Sequence, residues 1–254
     1  MDRNLKQALQ SGEVCVGSWM ALANEGIAEI LCDAGYRWLA IDLEHSSTSL
    51  RETERLIRII DAHGVTPLVR VSGLDATQIK RVMDAGAHGL IVPMVTREAD
   101  VEAVVSAMHY PPRGHRGVGL GRAQGYGEAF DTYRSWLAES AVLIPQIEHV
   151  DALEHVDAIA AHPAVDALFV GPYDLTASMG CPGQFDSAQY HEALSVIRTA
   201  AERHKIPAGI HVVEPDPVAL RSVIQDGYRF VAYSVDFRMV ASEAKKGLDA
   251  VHEE

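Results

Sequence analysis

Several features that are common in other proteins are scarce in this 254-residue sequence. There are three cysteines, Cys15, Cys32 and Cys181, with no CxxC motif and no Cys/His spacing typical of a zinc site. This pattern excludes a disulfide scaffold and favours a reducing, cytoplasmic compartment. The apolar runs fall far short of the roughly 20 residues that span a bilayer. We therefore expect a soluble protein with no membrane partner.

Positive charge is also scarce. The sequence has 22 lysines and arginines against 35 aspartates and glutamates, which gives a net charge of −13. Such an excess of acid disfavours nucleic acid and anionic membrane surfaces as partners. An anionic substrate would therefore have to meet a local cluster of positive groups.

What the chain does contain is a regular alternation of short apolar runs with amphipathic helical segments. The runs that predict β-strands are residues 14–19, 38–43, 67–71, 89–95, 142–147, 167–170, 208–213 and 230–235. Glycines follow several helical segments, as at Gly35, Gly86 and Gly227, where a left-handed helix C-cap is expected.

Eight strand–helix units predict parallel strands that are each buried on both faces. The fold class expected is therefore α/β, as a (β/α)8 TIM barrel forming a single domain over residues 1–254. A doubly wound sheet is the alternative, although no GxGxxG motif follows a strand. One irregular, glycine-rich stretch, residues 110–127, is either a solvated surface loop or a lid or subunit contact beside the active site.

In a barrel of this kind the active site lies at the carboxyl ends of the strands. None of the lysines follows a predicted strand there, which argues against a Schiff-base mechanism. No GxSxG nucleophile elbow and no P-loop motif is present. The loops after the last two strands contain no glycine, which disfavours a phosphorylated substrate.

Charged side chains follow the second and third predicted strands at their carboxyl ends. Asp42, Glu44 and His45 follow the second strand, and Arg70 ends the third. His45 is the predicted acid/base group, because a neighbouring carboxylate can orient an imidazole and tune its pKa. Two interpretations of Arg70 stay open: an ion pair with Asp42 or Glu44, and a clamp on a substrate carboxylate or a developing enolate.

Two carboxylates end the fifth and sixth strands. Glu148 and Asp174 are the predicted metal ligands, and oxygen-only ligation favours a hard divalent ion such as Mg²⁺ or Mn²⁺. Two protein ligands would leave positions for water and a chelating substrate. The alternative is that each acid only stabilises the start of the following helix. The other strand-end residues predicted to bind substrate are Trp19, Gln146, Gly171, Pro172, Tyr173 and His211, with Val212 and Tyr233 beside them.

The sequence resembles the HpcH/HpaI family of metal-dependent (class II) pyruvate aldolases. The matching stretches are collinear and cover nearly the whole chain: residues 38–45 (WLAIDLEH), 68–70 (LVR), 91–95 (IVPMV), 110–117 (YPPRGHRG), 146–148 (QIE) and 171–180 (GPYDLTASMG). Tyr173 departs from the pattern, because many members carry a small residue there.

The resemblance implies a barrel whose last helix is exchanged between subunits of a homo-hexamer, a trimer of dimers. It implies Mg²⁺, Mn²⁺ or Co²⁺ at Glu148 and Asp174, with pyruvate chelating that ion. It also implies that Arg70 stabilises the enolate and that His45 is the acid/base. Asp84 would come from a neighbouring subunit to form a dyad with His45, and the resemblance is its only support.

The leading hypothesis is reversible retro-aldol cleavage of a 4-hydroxy-2-oxo acid to pyruvate and an aldehyde. Decarboxylation, or condensation with another keto acid, at the same metal-enolate site is an alternative that shares every residue. A barrel that binds without catalysis is a third possibility, and the intact set of His45, Arg70, Glu148 and Asp174 argues against it.

Overall fold

A computed structural model describes residues 4–252 and shows a closed barrel of eight parallel strands within them. The strands are β1 (Cys15–Met20), β2 (Trp38–Asp42), β3 (Thr66–Arg70), β4 (Gly89–Val92), β5 (Val142–Ile147), β6 (Leu168–Val170), β7 (Ala208–Val212) and β8 (Phe230–Val235). Each strand pairs with its neighbours in chain order, and β8 closes the barrel against β1. The predicted TIM barrel is confirmed, and the doubly wound sheet is wrong. The domain prediction also includes residues 1–3 and 253–254, which lie outside the described residues.

Helices connect the strands and form the outer layer. They are α1 (Leu5–Gln10), α2 (Glu25–Asp33), α3 (Leu50–Ala62), α4 (Ala76–Ala85), α5 (Glu98–Met108), α6 (Phe130–Glu139), α7 (Val156–Ala161), α8 (Pro172–Ser178), α9 (Ala188–Arg203), α10 (Pro217–Gln225) and α11 (Asp236–His252). Short 3₁₀ helices occur at Arg122–Gly127 and Val150–Ala152. Among residues 4–252, no helix combines the length and the apolar character needed to cross a membrane.

The helix ends follow the local sequence. Gly35, Gly86 and Gly227 all have a positive φ, of 93°, 105° and 100°, as the sequence predicted for residues that terminate helices. Ser49 and Glu52 form a capping box at the start of α3. These local signals set where each helix stops and the chain turns into the next strand.

The barrel interior is filled by large aromatic side chains from alternate strands. The rings of Trp38 and Phe230 stack with their centroids 4.3 Å apart, and Phe169 meets Phe230 edge-on at 5.6 Å. Trp38 fits only because its neighbour on β1 is Gly17, where a Cβ atom would lie 2.0 Å from the indole. This packing makes the barrel a rigid support for the residues at its carboxyl end.

The glycine-rich stretch 110–127 is folded against the helix ends and is not simply solvated. Arg116 is buried and its guanidinium donates to Asp84 at the end of α4. Arg122 donates to Asp61 near the end of α3. Because α3 and α4 end at the amino side of the barrel, the stretch lies away from the active site of its own chain. The prediction of a lid within the chain is therefore wrong, and the subunit contact stays a prediction.

The last helix packs only partly on its own barrel. Three of its apolar side chains, Val240, Leu248 and Val251, are largely exposed. Exposed apolar residues in this number on one helix are uncommon unless another surface covers them.

Candidate active site

The carboxyl ends of the strands surround a pocket of about 350 Å³. The predicted residues that line it are Trp19, Asp42, His45, Arg70, Gln146, Gly171, Pro172, Tyr173, Asp174 and His211. Two larger clefts, of about 500 and 560 Å³, contain none of these residues. The position of the smaller pocket at the strand ends, where barrel enzymes carry their chemistry, makes it the candidate active site.

Arg70 and Asp42 form a two-point ion pair at the ends of β3 and β2. Nε of Arg70 donates to Oδ1 of Asp42 at 2.8 Å, and Nη2 donates to Oδ2 at 2.7 Å. Burial opposes the charge on Asp42, but the hydrogen bonds and charge of Arg70 outweigh it and hold the pKa of Asp42 below its usual value. The guanidinium also lies over the Trp19 ring, 4.4 Å from its centroid. Arg70 is thus fixed by Asp42 and still lines the pocket.

The turn after β2 places His45 at the mouth of the pocket. The backbone N–H groups of Glu44 and His45 donate to Oδ1 of Asp42 at 3.0 and 3.3 Å. The His45 side chain is 61% exposed, and its Nε2 lies 3.7 Å from a carboxylate oxygen of Glu44. An accessible imidazole beside a carboxylate can accept and return protons.

Glu148 is buried next to the pocket and forms no direct ion pair with any of residues 4–252. The backbone N–H of Met94 donates to its Oε1 at 2.8 Å, and the amide of Gln146 donates to its Oε2. Burial raises the pKa of Glu148 to about 8; the Met94 hydrogen bond opposes this, and the charges of Glu44 and Asp174 add to it. A Cβ atom at Gly171 would lie 2.4 Å from Oε2, so the carboxylate needs glycine there.

Asp174 lies in the first turn of α8, and its side chain is exposed to the pocket. This position is compatible with both interpretations, a helix-stabilising acid and a metal ligand.

The donor set fits a hard divalent cation. The charge of Asp174 acts on Glu148, and both side chains offer oxygen ligands only. Among residues 4–252, no group of three or more His, Cys, Asp or Glu residues has the arrangement of a metal site. A cation here would therefore keep positions for water and substrate. Its charge would also offset the cost of burying the Glu148 carboxylate.

Two residues of the pocket wall carry a buried polar atom without a hydrogen-bond partner in the described part of the chain. These atoms are Nε1 of Trp19 and Oε1 of Gln146. Such atoms are uncommon in folded proteins and call for an explanation. A ligand in the pocket could complete the hydrogen bonds of these two side chains.

His211 presents a neutral ring to the pocket. Its Nε2 lies 3.2 Å from the carbonyl oxygen of Ser234, and since a carbonyl only accepts, Nε2 must carry the proton. Burial lowers the pKa of His211 to about 4, against the opposing effect of that hydrogen bond. The other ring nitrogen, Nδ1, is consequently an acceptor.

The side walls include residues that the sequence did not single out. Val213, Val235, Phe237 and Arg238 line the pocket. Tyr233, by contrast, packs into the outer helix layer, as does Val212. The sequence left the direction of Tyr233 open, and the alternation along β8 turns its ring away from the site.

Asp84 is not part of this pocket. It is the second-last residue of α4, and its Oδ1 accepts from Arg116 at 2.6 Å. The chain by itself therefore does not bring Asp84 to His45. Arg116 lies in the glycine-rich stretch 110–127, within the matching segment 110–117.

Comparison with known proteins agrees with the barrel fold. A family model described as HpcH/HpaI aldolase/citrate lyase matches residues 16–242. The chain is 35% identical to a hydroxypyruvate/pyruvate aldolase from Sagittula stellata, over 94% of each chain. It is 38% identical to a 4-hydroxy-2-oxovalerate aldolase from Novosphingobium aromaticivorans, over 96% of this chain and 93% of that one. It superposes with a TM-score of 0.92 on an HpcH/HpaI aldolase/citrate lyase family protein from Burkholderia cenocepacia, with 33% identity over 98% of both chains.

Proposed function

The chain belongs to the HpcH/HpaI aldolase/citrate lyase family, and we propose that it catalyses reversible retro-aldol cleavage of a 4-hydroxy-2-oxo acid to pyruvate and an aldehyde. It is accordingly a carbon–carbon lyase, acting through one aldolase domain over residues 1–254. The observation that carries this proposal is the convergence of Arg70, His45 and Asp174 on one strand-end pocket, with the buried Glu148 beside it.

We propose that Glu148 and Asp174 hold a divalent cation, Mg²⁺, Mn²⁺ or Co²⁺. When bound, such an ion would act as a Lewis acid on the keto oxygen of the substrate. The backbone N–H of Met94 and the amide of Gln146 fix the Glu148 carboxylate in place for this task.

Residues of the chain carry out the proton transfer and stabilise the enolate. His45 takes the proton of the C4 hydroxyl; the C3–C4 bond then breaks, its electron pair stays on C3 as the enolate, and the aldehyde leaves. Arg70, held by Asp42, offsets the negative charge that develops on the enolate oxygen. A proton from solvent then adds to C3 to give pyruvate, and His45 releases to solvent the proton that it took from the hydroxyl. Glu44 lies between Arg70 and His45 and orients both side chains.

The pocket walls are proposed to hold the substrate. The residues assigned to substrate binding are Trp19, Gln146, Gly171, Pro172, Tyr173 and His211. The unpartnered Nε1 of Trp19 supports this assignment, because it can donate to an oxygen of a bound oxo acid. Oε1 of Gln146 can accept from a hydroxyl group of that substrate.

A homo-oligomer is part of the proposal. The exposed apolar residues of α11 support exchange of this helix with a second copy, as expected for a hexamer built from dimers. The exposed side of Asp84 would then reach the His45 of a neighbouring subunit. Size-exclusion chromatography with light scattering tests the assembly, and a monomer at micromolar concentration would contradict it.

The activity itself is tested by pyruvate release. Purified protein with Mg²⁺, Mn²⁺ or Co²⁺ is given a panel of 4-hydroxy-2-oxo acids, and pyruvate is measured with lactate dehydrogenase and NADH. In parallel, exchange of the pyruvate C3 protons into D₂O is followed by NMR. We expect both reactions, and a protein that shows neither would overturn the proposed function.

A further inference from the structure

A cleft of about 500 Å³ lies at the amino end of the barrel, on the opposite side from the candidate active site. It is lined by Ala208 at the start of β7, by Arg229 directly before β8, and by parts of α9 and α1. Its volume is within the range of about 300–1,000 Å³ that is usual for small-molecule sites. The function proposed above uses no residue of this cleft.

The walls of the cleft are positively charged, although the chain has a net charge of −13. Three cations line it, Arg198, Lys205 and Arg229, against one carboxylate, Glu202. Within residues 4–252, none of the three cations forms an ion pair with a carboxylate. The cleft therefore has a local excess of positive charge that the described part of the protein does not neutralise.

Neutral groups hold the two arginines in place. Nη1 of Arg229 donates to the carbonyl oxygens of Ile224 and Tyr228, both at 3.0 Å. The guanidinium of Arg198 lies over the Tyr228 ring, 5.5 Å from its centroid. Carbonyl groups and an aromatic ring orient a guanidinium without cancelling its charge. Both arginines are thus positioned before an anion arrives, which lowers the entropy cost of binding one.

The cations are spread along the cleft and not gathered at one point. Arg198 and Arg229 both lie against Tyr228, whereas Lys205 comes after the end of α9, at a distance of seven residues from Arg198. Seven residues of helix rise by about 10 Å. One small anion cannot contact cations so far apart, but separate carboxylates on a single carbon chain can.

We propose that this cleft is a second ligand-binding site, and that its ligand is a small organic molecule with two or three carboxylates. One carboxylate accepts hydrogen bonds from Arg198 and Arg229, and another pairs with Lys205. The apolar side chains of Leu9 and Ile206 line the cleft and cover the carbon chain between them. Because the cleft and the active site lie at opposite ends of the barrel, this ligand and pyruvate bind at the same time. The inference does not depend on the aldolase activity.

The first test is isothermal titration of the wild-type chain, stripped of metal on a chelating resin, at low salt. The probes are tricarballylate, glutarate and butyrate, which carry three, two and one carboxylates. We expect the affinity to rise by about 3- to 10-fold with each added carboxylate, between the effect of an exposed ion pair and that of a hydrogen bond to a charged group. Added salt should weaken binding, and saturating pyruvate should leave it unchanged. Equal affinities for the three probes, or no binding of tricarballylate, would overturn the inference.

Variants of the cleft provide the second test. Arg198→Gln and Lys205→Asn should each weaken tricarballylate binding by about 3- to 10-fold. Asparagine suits position 205, because its φ of 58° lies in the left-handed region that this residue tolerates. Glu202→Gln should tighten binding, since it removes the carboxylate that repels the ligand. Arg51→Gln, exposed on α3 and outside the cleft, is the matched control for net charge and should bind as the wild type does.

One further variant separates the cleft from the active site. Arg70→Ala should keep the wild-type affinity for tricarballylate, because Arg70 lies at the other end of the barrel. Loss of binding in Arg70→Ala, or unchanged binding in both Arg198→Gln and Lys205→Asn, would overturn the inference. Thermal unfolding without the probe verifies that each variant is folded. With the probe, the melting temperature should rise in the wild type and not in the double variant of Arg198 and Lys205.

Discussion

The guanidinium of Arg116 has no exposed surface and donates to Oδ1 of Asp84 at 2.6 Å, while the Asp84 side chain stays 26% exposed. This ion pair ties the glycine-rich stretch 110–127 to the end of α4. It leaves the exposed edge of Asp84 facing out of the chain, at the amino side of the barrel. Asp84 can act on a His45 only if that residue belongs to another subunit.

Removing the buried guanidinium should destabilise the fold. Arg116→Met removes the donor to three groups: the Asp84 carboxylate, the hydroxyl of Tyr133 and the carbonyl of Met108. We expect a loss of about 2–4 kcal/mol in the free energy of unfolding, measured by urea denaturation at fixed protein concentration. Arg134→Met removes an exposed pair with Asp131 and should cost less than about 0.5 kcal/mol. Equal small losses in both variants would show that the Arg116 pair is not important for stability.

Removal of the metal should abolish cleavage reversibly. Chelation, Glu148→Gln or Asp174→Asn should each lower pyruvate release by more than about 100-fold, because a Lewis acid supplies several kcal/mol of transition-state stabilisation. Adding Mg²⁺, Mn²⁺ or Co²⁺ should restore the chelated wild type and not the variants. Asp151→Asn, an exposed acid after β5, is the control. Full activity after exhaustive chelation would rule out a metal-dependent mechanism.

Substitutions of Arg70 and of His45 should have different effects on two measured reactions, retro-aldol cleavage and exchange of the pyruvate C3 protons. Arg70→Ala should lose both retro-aldol cleavage and exchange of the pyruvate C3 protons, since both pass through the enolate. His45→Ala should lose most cleavage and retain part of the exchange, because water can take a methyl proton. Cleavage at near wild-type rate in Arg70→Ala would leave only the ion pair with Asp42 as the role of this residue.

The side chains of Tyr173 and His211 in the pocket wall should determine which acceptor aldehydes are preferred. Tyr173→Ala and His211→Ala should change relative kcat/KM values by about 10- to 200-fold across aliphatic, acidic, polyhydroxy and aromatic aldehydes. Tyr233→Phe is the control, because its ring packs in the outer layer. The same ranking of aldehydes in both alanine variants would place selectivity elsewhere.

Acid should weaken the fold through His109. Burial first, and then the charges of Arg113, Lys6 and Arg116, lower the pKa of His109 to about 4, below the value of about 6.5 in an unfolded chain. Between these two values the unfolded chain binds the extra proton. Stability is therefore full above about pH 6.5 and falls by up to about 1.4 kcal/mol for each unit down to about pH 4.

His109→Gln should remove this component of the pH dependence. The measurement is the free energy of unfolding from urea titrations at pH 7, 6 and 5, compared as a slope so that a uniform loss of stability cancels. His211, whose pKa is also lowered, contributes equally to both proteins. Parallel slopes for the variant and the wild type would mean that His109 takes up its proton in the folded state.

Much of the fold could be predicted from local sequence. The expected strands 142–147 and 230–235 coincide with β5 and β8, and the glycines expected after helices, Gly35, Gly86 and Gly227, follow α2, α4 and α10 with a positive φ. Apolar runs, amphipathic segments and glycines that end helices are all local signals. Eight apolar runs that alternate with amphipathic segments favour a closed parallel barrel. Chain order then placed Asp42, Arg70, Glu148 and Asp174 at the same end of it.

Which strand-end side chains point into the pocket and which point into the helix layer could not be predicted in the same way. Parallel barrel strands are buried on both sides, so their residues are apolar throughout and carry no alternating signal. The structure turns Val213 and Val235 into the pocket and Tyr233 out of it. The pairing of β1 with β8 also shifts register between Gly17 and Trp19. Such a shift changes which side chains point into the barrel, and it is visible only once the two strands are paired.

The sequence by itself determined the barrel, its family and the residues that end its strands, because these depend on periodicity and order along one chain. The tertiary structure decided the pairs that join distant segments: Arg238 with Glu214, 24 residues apart, and Arg116 with Asp84, 32 residues apart. Each pair forms only when whole helices and loops have packed against the barrel. No local propensity encodes such a contact, so its residues look like ordinary surface charges until the chain is folded.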